Sequence, residues 1–167
     1  MEIKINPIYG EDYKLQWGKI DYTDKIVLDI GGSNGDTSNF FLTKGAILCV
    51  SVDNNLDYVN QCLASIKAHK LPILPIYKHM LNKDDLDLMI TLIRPDVVKS
   101  DCEGAELSLF DIPDSVFCTV QEYIIETHMN LVHDKMIKKC NDCSYEIIDD
   151  NNWTGEIHIV YAKRKQT

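Results

Sequence analysis

Residues 25–35 read Lys25-Ile26-Val27-Leu28-Asp29-Ile30-Gly31-Gly32-Ser33-Asn34-Gly35. Up to Ile30 the run is compact and aliphatic, which suits a strand buried on both faces. The glycines end it, and Asp36-Thr37-Ser38 carry the short polar side chains that open a helix through Phe41 and Leu42. Strand, glycine turn and helix start, in that order, form the first step of an α/β sheet.

The same alternation continues downstream. Residues 46–52 make a second apolar run, closed by Asp53-Asn54-Asn55, and Leu56, Val59, Leu63 and Ile66 then recur on one helical face. Residues 72–77 predict a short third strand. Residues 84–93 predict a helix with Leu86, Met89, Ile90 and Ile93 on one side, stopped by Pro95. Residues 96–100 form strand four, and residues 105–110 begin a helix after Gly104. Strand five lies within residues 119–127, and a helix over 131–143 aligns Val132, Met136 and Cys140. The end is different: residues 145–148 and 156–162 are strand-like, with only the turn-rich residues 149–155 between them. That gap is too short for a parallel crossover, so the last strand is expected to run antiparallel. The expected fold is a doubly wound, Rossmann-like α/β sheet of seven strands, mostly parallel with an antiparallel C-terminal strand.

Length and charge narrow the function. The chain has 167 residues, read as one domain over 1–167 in which 1–24 form an N-terminal extension. With 26 acidic and 17 basic side chains its net charge is −9, which argues against a nucleic acid as partner and against an anionic membrane surface. A small or neutral molecule remains open as the partner. No stretch approaches the roughly 18 to 20 apolar residues of a membrane span, and no signal peptide is visible, so a cytoplasmic location is expected. Six cysteines do not make a disulfide framework. Cys49, Cys62, Cys102 and Cys118 stand among apolar residues and read as small core fillers. Cys140 and Cys143 form one C-x-x-C at a helix end; without a second pair it reads as structural.

On sheets of this kind ligands bind beyond the carboxyl ends of the strands. Gly31, Gly32, Ser33, Asn34 and Gly35 follow strand one, where glycine permits close approach to the backbone and a helix start offers unpaired N–H groups. Asp53, with Asn54 beside it, ends strand two, where a carboxylate can accept from both hydroxyls of a ribose. A nicotinamide fold prefers G-x-G-x-x-G, and Gly31, Ser33 and Gly35 do not supply that spacing. Asp29 inside strand one, followed by Gly31 and Gly35, instead resembles the first motif of class I S-adenosylmethionine-dependent methyltransferases, as does the terminal hairpin. The resemblance narrows at Asp96-Val97-Val98-Lys99-Ser100-Asp101-Cys102-Glu103-Gly104-Ala105-Glu106, which is similar to the K-I-D-x-E-G-A-E segment of FkbM-type methyltransferases. Leu81-Asn82-Lys83-Asp84-Asp85-Leu86 resembles that family's L-D-D-L stretch, and Ile124-Ile125-Glu126-Thr127-His128 its fifth strand.

The resemblance implies transfer of a methyl group from S-adenosyl-L-methionine to a hydroxyl of a small metabolite, sugar or glycolipid. It implies that Asp29 and residues 31–35 hold the methionine end of the cofactor and Asp53 the ribose. Tyr77, His79 and Asn82 are the candidates for contacting adenine. Such a transfer also needs a base near strands four and five. Asp101 and Glu103 follow strand four; Glu126 and His128 lie two apart on strand five, on one face. His128 is the first candidate base and Asp101 the second, although Asp101 and Glu103 suit the simpler role of helix caps. Asp101, Glu103 and Glu126 together offer a seat for Mg²⁺, but no ligand motif stands there and no metal is assigned. Tyr9, Tyr13 and Trp17 form an aromatic stripe, read either as packing against the sheet edge or as a lid. Lys163-Arg164-Lys165 reads as a solvated tail. With no insertion to cap the acceptor site, a homodimer partner is one way to complete it. A non-catalytic module of the same fold is the alternative reading, and a small NAD-binding protein a third.

Overall fold

The computed structural model describes residues 5, 6, 8, 12–104 and 106–165. Tyr9 and Ala105, named above, lie outside the described residues. The fold is α/β, with seven strands in a mixed, mostly parallel sheet. The chain forms two compact units, residues 1–80 and 81–167. No helix among the described residues is long and apolar enough to cross a membrane.

The first unit contains α1 (Tyr13–Trp17), β1 (Ile26–Ile30), α2 (Asp36–Thr43), β2 (Leu48–Asp53), α3 (Leu56–His69) and β3 (Ile73–Tyr77). Its strands run parallel in the order β3-β2-β1, with Leu28 level with Val50 and Val50 with Leu74. Val27, Leu28, Ile30, Val50 and Val52 are buried, as expected of strands covered on both faces. Pro75 is tolerated because β3 is the outermost strand. The Pro72 carbonyl and the Lys78 N–H both face β2, so Pro75, of the opposite parity, turns its nitrogen outward. The Asn55 side chain caps α3 by accepting from the N–H groups of Asp57 and Tyr58. Of the aromatic stripe, Tyr13 packs against α2. Tyr13 lies 5.7 Å from Phe40, ring centre to centre, and Trp17 is fully buried.

The second unit contains α4 (Lys83–Ile93), β4 (Val97–Ser100), α5 (Glu106–Phe110), α6 (Asp114–Phe117), β5 (Glu122–Thr127), α7 (Asn130–Asp142), β6 (Tyr145–Thr154) and β7 (Ile157–Arg164). Its order is β4-β5-β7-β6; β4 and β5 are parallel, and β7 is antiparallel to both of its neighbours. The antiparallel last strand is as expected, but the hairpin is longer than its sequence suggests. Residues 149–154, read as turn, extend β6, and only Gly155 and Glu156 turn the chain. Pairing with β7 overrides the turn preference of Asp and Asn, and two register shifts, between Ile147 and Asp149 and between Asn152 and Thr154, absorb the misfit. Lys163 and Arg164 likewise belong to β7 and not to a tail. Lys163 Nζ lies 3.0 Å from the buried Glu122 carboxylate, which needs a charged partner.

An aromatic cluster joins the hairpin to α6. The Phe117 and Tyr123 rings stack at 4.2 Å and Tyr145 meets both edge-on, while both tyrosine hydroxyls donate to the Phe117 carbonyl at 3.0 Å. Tyr145 also donates to the Val120 carbonyl. Replacing Tyr145 by Phe removes a side-chain donor from Val120 while Tyr123 still serves Phe117, so the expected loss is about 1 kcal/mol. Tyr145→Ala opens a cavity as well and is expected to cost about 3–5 kcal/mol in urea unfolding.

Candidate functional site

The first group of functional side chains surrounds the glycine loop. The N–H groups of Gly31 and Gly32 donate to the Val52 carbonyl at 2.9 and 3.1 Å, drawing the loop across the end of β2. Ser33 N–H donates to Asp53 Oδ2 at 2.8 Å, and Asn55 N–H donates to Asp53 Oδ1 at 2.7 Å. Asp53 therefore locks the loop to the strand end. Each of its oxygens has taken one donor and can accept another. Asp29 is fully buried and accepts from Thr37 Oγ1 at 2.7 Å and Ser38 Oγ at 2.6 Å, which ties β1 to the first turn of α2.

Two glycines are required here for different reasons. Gly35 caps α2 with φ +87°, a left-handed conformation that costs glycine little. Gly32 is needed for closeness, since a Cβ there would lie 2.2 Å from Ser51 Oγ and 3.1 Å from Asp29 Oδ2. Ser33 adopts φ +49° although it carries a side chain, and its buried Oγ has no hydrogen-bond partner among the described residues. A buried hydroxyl without a partner costs energy unless a ligand completes it. Asn34 accepts from Asp36 N–H at 3.3 Å and donates to the Asn6 carbonyl at 3.4 Å, while Ile8 N–H donates to Asp36 Oδ2 at 3.1 Å. The N-terminal segment thus reaches the start of α2. Asn54 is exposed beside Asp53. Among the adenine candidates, Tyr77 is exposed at the end of β3, whereas Asn82 is committed to a capping box with Asp85 on α4.

The second group lies in the other unit, where Asp101, Glu103, Glu106 and Glu126 surround His128. His128 Nε2 is 3.7 Å from Asp101, 3.5 Å from Glu126 and 3.9 Å from Glu103, whose side chain is 88% exposed on the rim. His128 Nδ1 lies 3.4 Å from Glu106 Oε1, an ion-pair distance and not an aligned hydrogen bond. Glu106, fully buried, also accepts from the N–H groups of Cys102 at 2.9 Å and Gly104 at 2.7 Å. Glu106 thus ties down the loop that precedes α5. Lys99, 1% exposed, brings a second cation to 4.0 Å from Asp101.

Glu106 is the strongest influence on His128. Despite partial burial, which acts the other way, it and the charges of Asp101 and Glu126 raise the imidazole pKa to about 9. Burial pushes Glu106 up, but His128 and the N–H groups of Cys102 and of Glu106 itself outweigh it and hold the carboxyl below its usual range. Sequence reasoning named Asp101, Glu103, Glu126 and His128 but not Glu106 or Lys99. The signals were present: Glu106 closes the acidic motif, and Lys99 is the one charge in the four-residue strand Val97–Ser100. Cys140 and Cys143 are buried, and burial raises both thiols to about 12, which leaves them protonated.

Two outcomes test these geometries. Gly32→Ala is expected to destabilise the protein by about 1–3 kcal/mol, as overpacking does. Adding Ser51→Ala should restore most of that loss in urea unfolding, because the nearest colliding atom is gone. The raised pKa of His128 stabilises the fold fully below the unfolded value of 6.5 and is lost as pH rises through about 9. That contribution is on the order of 3 kcal/mol. The stability advantage of the wild type over His128→Gln should shrink across that window; an advantage independent of pH would contradict the geometry.

No protein-family model matches the sequence, and no curated protein matches it. Solved structures do. The ribosomal protein L11 methylase of Lactobacillus delbrueckii subsp. bulgaricus is 13% identical over 91% of this chain and 76% of its own, with a TM-score of 0.66. M. capricolum TrmK, solved with S-adenosyl-homocysteine, is 15% identical over 93% and 68%, with a TM-score of 0.67. The precorrin-6y C5,15-methyltransferase of Geobacter metallireducens GS-15 is 13% identical over 88% and 82%, with a TM-score of 0.62. At these identities the likeness is one of fold, that of Rossmann-like methyltransferases.

Proposed function

We propose that the chain is an S-adenosyl-L-methionine-dependent methyltransferase of the FkbM type, acting on a hydroxyl of a small metabolite, sugar or glycolipid. The observation that carries this reading is the loop held by Asp53 with the orphaned Ser33 hydroxyl inside it. Residues 31–35, with Asp29 bracing them from β1, fit the polar methionine end of such a cofactor. Asp53 has one unused lone pair on each oxygen for the two ribose hydroxyls. The cofactor supplies an electrophilic methyl group on a sulfonium centre. The solved neighbours include methyltransferases whose names specify a ribosomal protein and a precorrin, and the net charge of −9 weighs against an RNA acceptor for this chain.

The chemistry left to the protein is to align the acceptor and remove its proton. His128 is assigned as base at Nε2, the nitrogen facing Asp101 and Glu126. With a pKa of about 9, only roughly one molecule in a hundred has the free base at pH 7, so turnover must climb with pH. Asp101 and Glu126 orient the ring, Glu106 braces its other edge, and Glu103 stands at the rim. A second reading, a non-catalytic binding module, is favoured by one observation: four carboxylates already saturate the imidazolium, as in a structural ion cluster.

Ligand binding separates the cofactor classes. S-adenosylhomocysteine at about a hundred times its Kd should raise the melting temperature by on the order of 5 °C, with NADH giving no shift. Asp53→Ala should abolish that shift. An NADH shift alone, or none with either compound, would overturn the cofactor assignment. For the enzyme, kcat/KM should rise about tenfold per pH unit between pH 7 and 8.5, and His128→Ala should remove the rise. Cofactor binding with no turnover on any hydroxylated acceptor would leave the module reading in its place.

A further inference from the structure

One cluster of ligand-type side chains takes no part in either group described above. His133 from the second turn of α7, Asp150 from β6 and His158 from β7 converge so that one ligand atom of each lies within 4.8 Å of the others. His133 Nε2 is 2.8 Å from Asp150 Oδ2, and His158 Nδ1 is 3.0 Å from Asp150 Oδ1. The two imidazole rings lie 4.1 Å apart, centre to centre. Register explains the convergence. Asn152 is level with His158 across the hairpin, and Asp150 is two residues along the same face of β6. On the other side His158 is level with Thr127, which alternates with Glu126, so the cluster belongs to the opposite face of the sheet from Glu126.

We propose that His133, Asp150 and His158 form a binding site for a divalent transition-metal ion of the zinc class, which staples α7 to the β6–β7 hairpin. Two imidazoles and one carboxylate, with a fourth position for water, are a donor set that suits zinc, whereas Mg²⁺ and Ca²⁺ demand oxygen. Side-chain exposures of 15% for His133, 34% for Asp150 and 17% for His158 leave the site sheltered but open to an entering ion. Zinc holds such ligand atoms roughly 3.3 Å apart, so the present pairs need to open by a few tenths of an ångström. The register shifts on either side of Asp150 make β6 locally compliant. The ion takes the place of the protons that now link each ring to Asp150. For His133 the proton moves to Nδ1, which has Asp134 3.7 Å away. For His158 it moves to Nε2, and the Asn152 amide nitrogen, now 3.2 Å from it and donating to the Gly155 carbonyl at 2.8 Å, shifts aside so that water accepts from the ring.

The test uses the full-length, metal-stripped protein and zinc alone in titration calorimetry, with Co²⁺ as a spectroscopic probe. The expected result is one equivalent of zinc and a Co²⁺ spectrum without a thiolate charge-transfer band. His133→Ala combined with His158→Ala should abolish binding. Asp150→Asn, which keeps a hydrogen-bonding side chain in place, should weaken it at least tenfold. Far-ultraviolet circular dichroism and metal-free melting establish that both variants remain folded. Three results would each overturn the proposal: no zinc bound at 0.1 mM, binding unchanged in the variants, or a thiolate band. Unchanged binding would instead seat the ion among Asp101, Glu126 and His128, and a thiolate band would seat it on the cysteines. The proposal is independent of the methyltransferase reading, since zinc binding is read without cofactor or turnover.

Discussion

The hydrogen bond from Ser33 N–H to the Asp53 carboxylate is the constraint on which the first unit's loop geometry depends. It joins the turn after β1 to the end of β2 and fixes a non-glycine residue at positive φ, a conformation that backbone preference alone disfavours. The Val52 carbonyl, taking two N–H groups from Gly31 and Gly32, holds the loop from the other side. Once the loop is pinned, Gly32 must rest against Ser51 and Asp29, and Gly35 must start α2 left-handed. The position of α2 then follows from Asp29, whose buried carboxylate accepts from both Thr37 and Ser38. A few polar contacts thus tie a buried strand pair to the start of α2 and leave the Ser33 hydroxyl over among the described residues.

In the second unit the governing quantity is charge balance. Four carboxylates near one imidazole repel one another at neutral pH, and the ring stays protonated to relieve them. Lys99 adds relief at Asp101 from within the strand. Glu106 has the costliest placement, wholly buried, and it is correspondingly the best satisfied, with two backbone donors and the His128 ring around it. The same arrangement that keeps the cluster stable sets the proton affinity that any base function at His128 must work against.

Much of the architecture was legible because apolar periodicity and turn chemistry agreed along most of the chain. Lys25 to Ser38 announces strand, turn and helix start in fourteen letters, and each appears where those letters place it. Legibility failed where tertiary pairing overrode local preference. Asp149-Asp150-Asn151-Asn152 has the composition of a loop, yet cross-strand bonds to β7 hold it extended. The candidate site was legible in its charged residues but not in their roles. Type and spacing pick out His128 and Asp101, whereas the burial that makes Glu106 their organiser depends on how α5 packs, which no local pattern encodes. The meeting of His133, Asp150 and His158 was hidden for the same reason, since they are distributed over a helix and both arms of a hairpin.

The outer strands also bear on how copies of this chain can meet. On β3 the outward-facing nitrogen of Pro75 leaves a gap in the row of donors, so a foreign strand laid there finds its register broken. On β6 the two register shifts and the run of acidic and amide side chains spoil the other flat template. Both margins are blunted against the edge-to-edge growth that seeds fibres. A strand of another copy laid on either margin therefore finds no continuous ladder to extend.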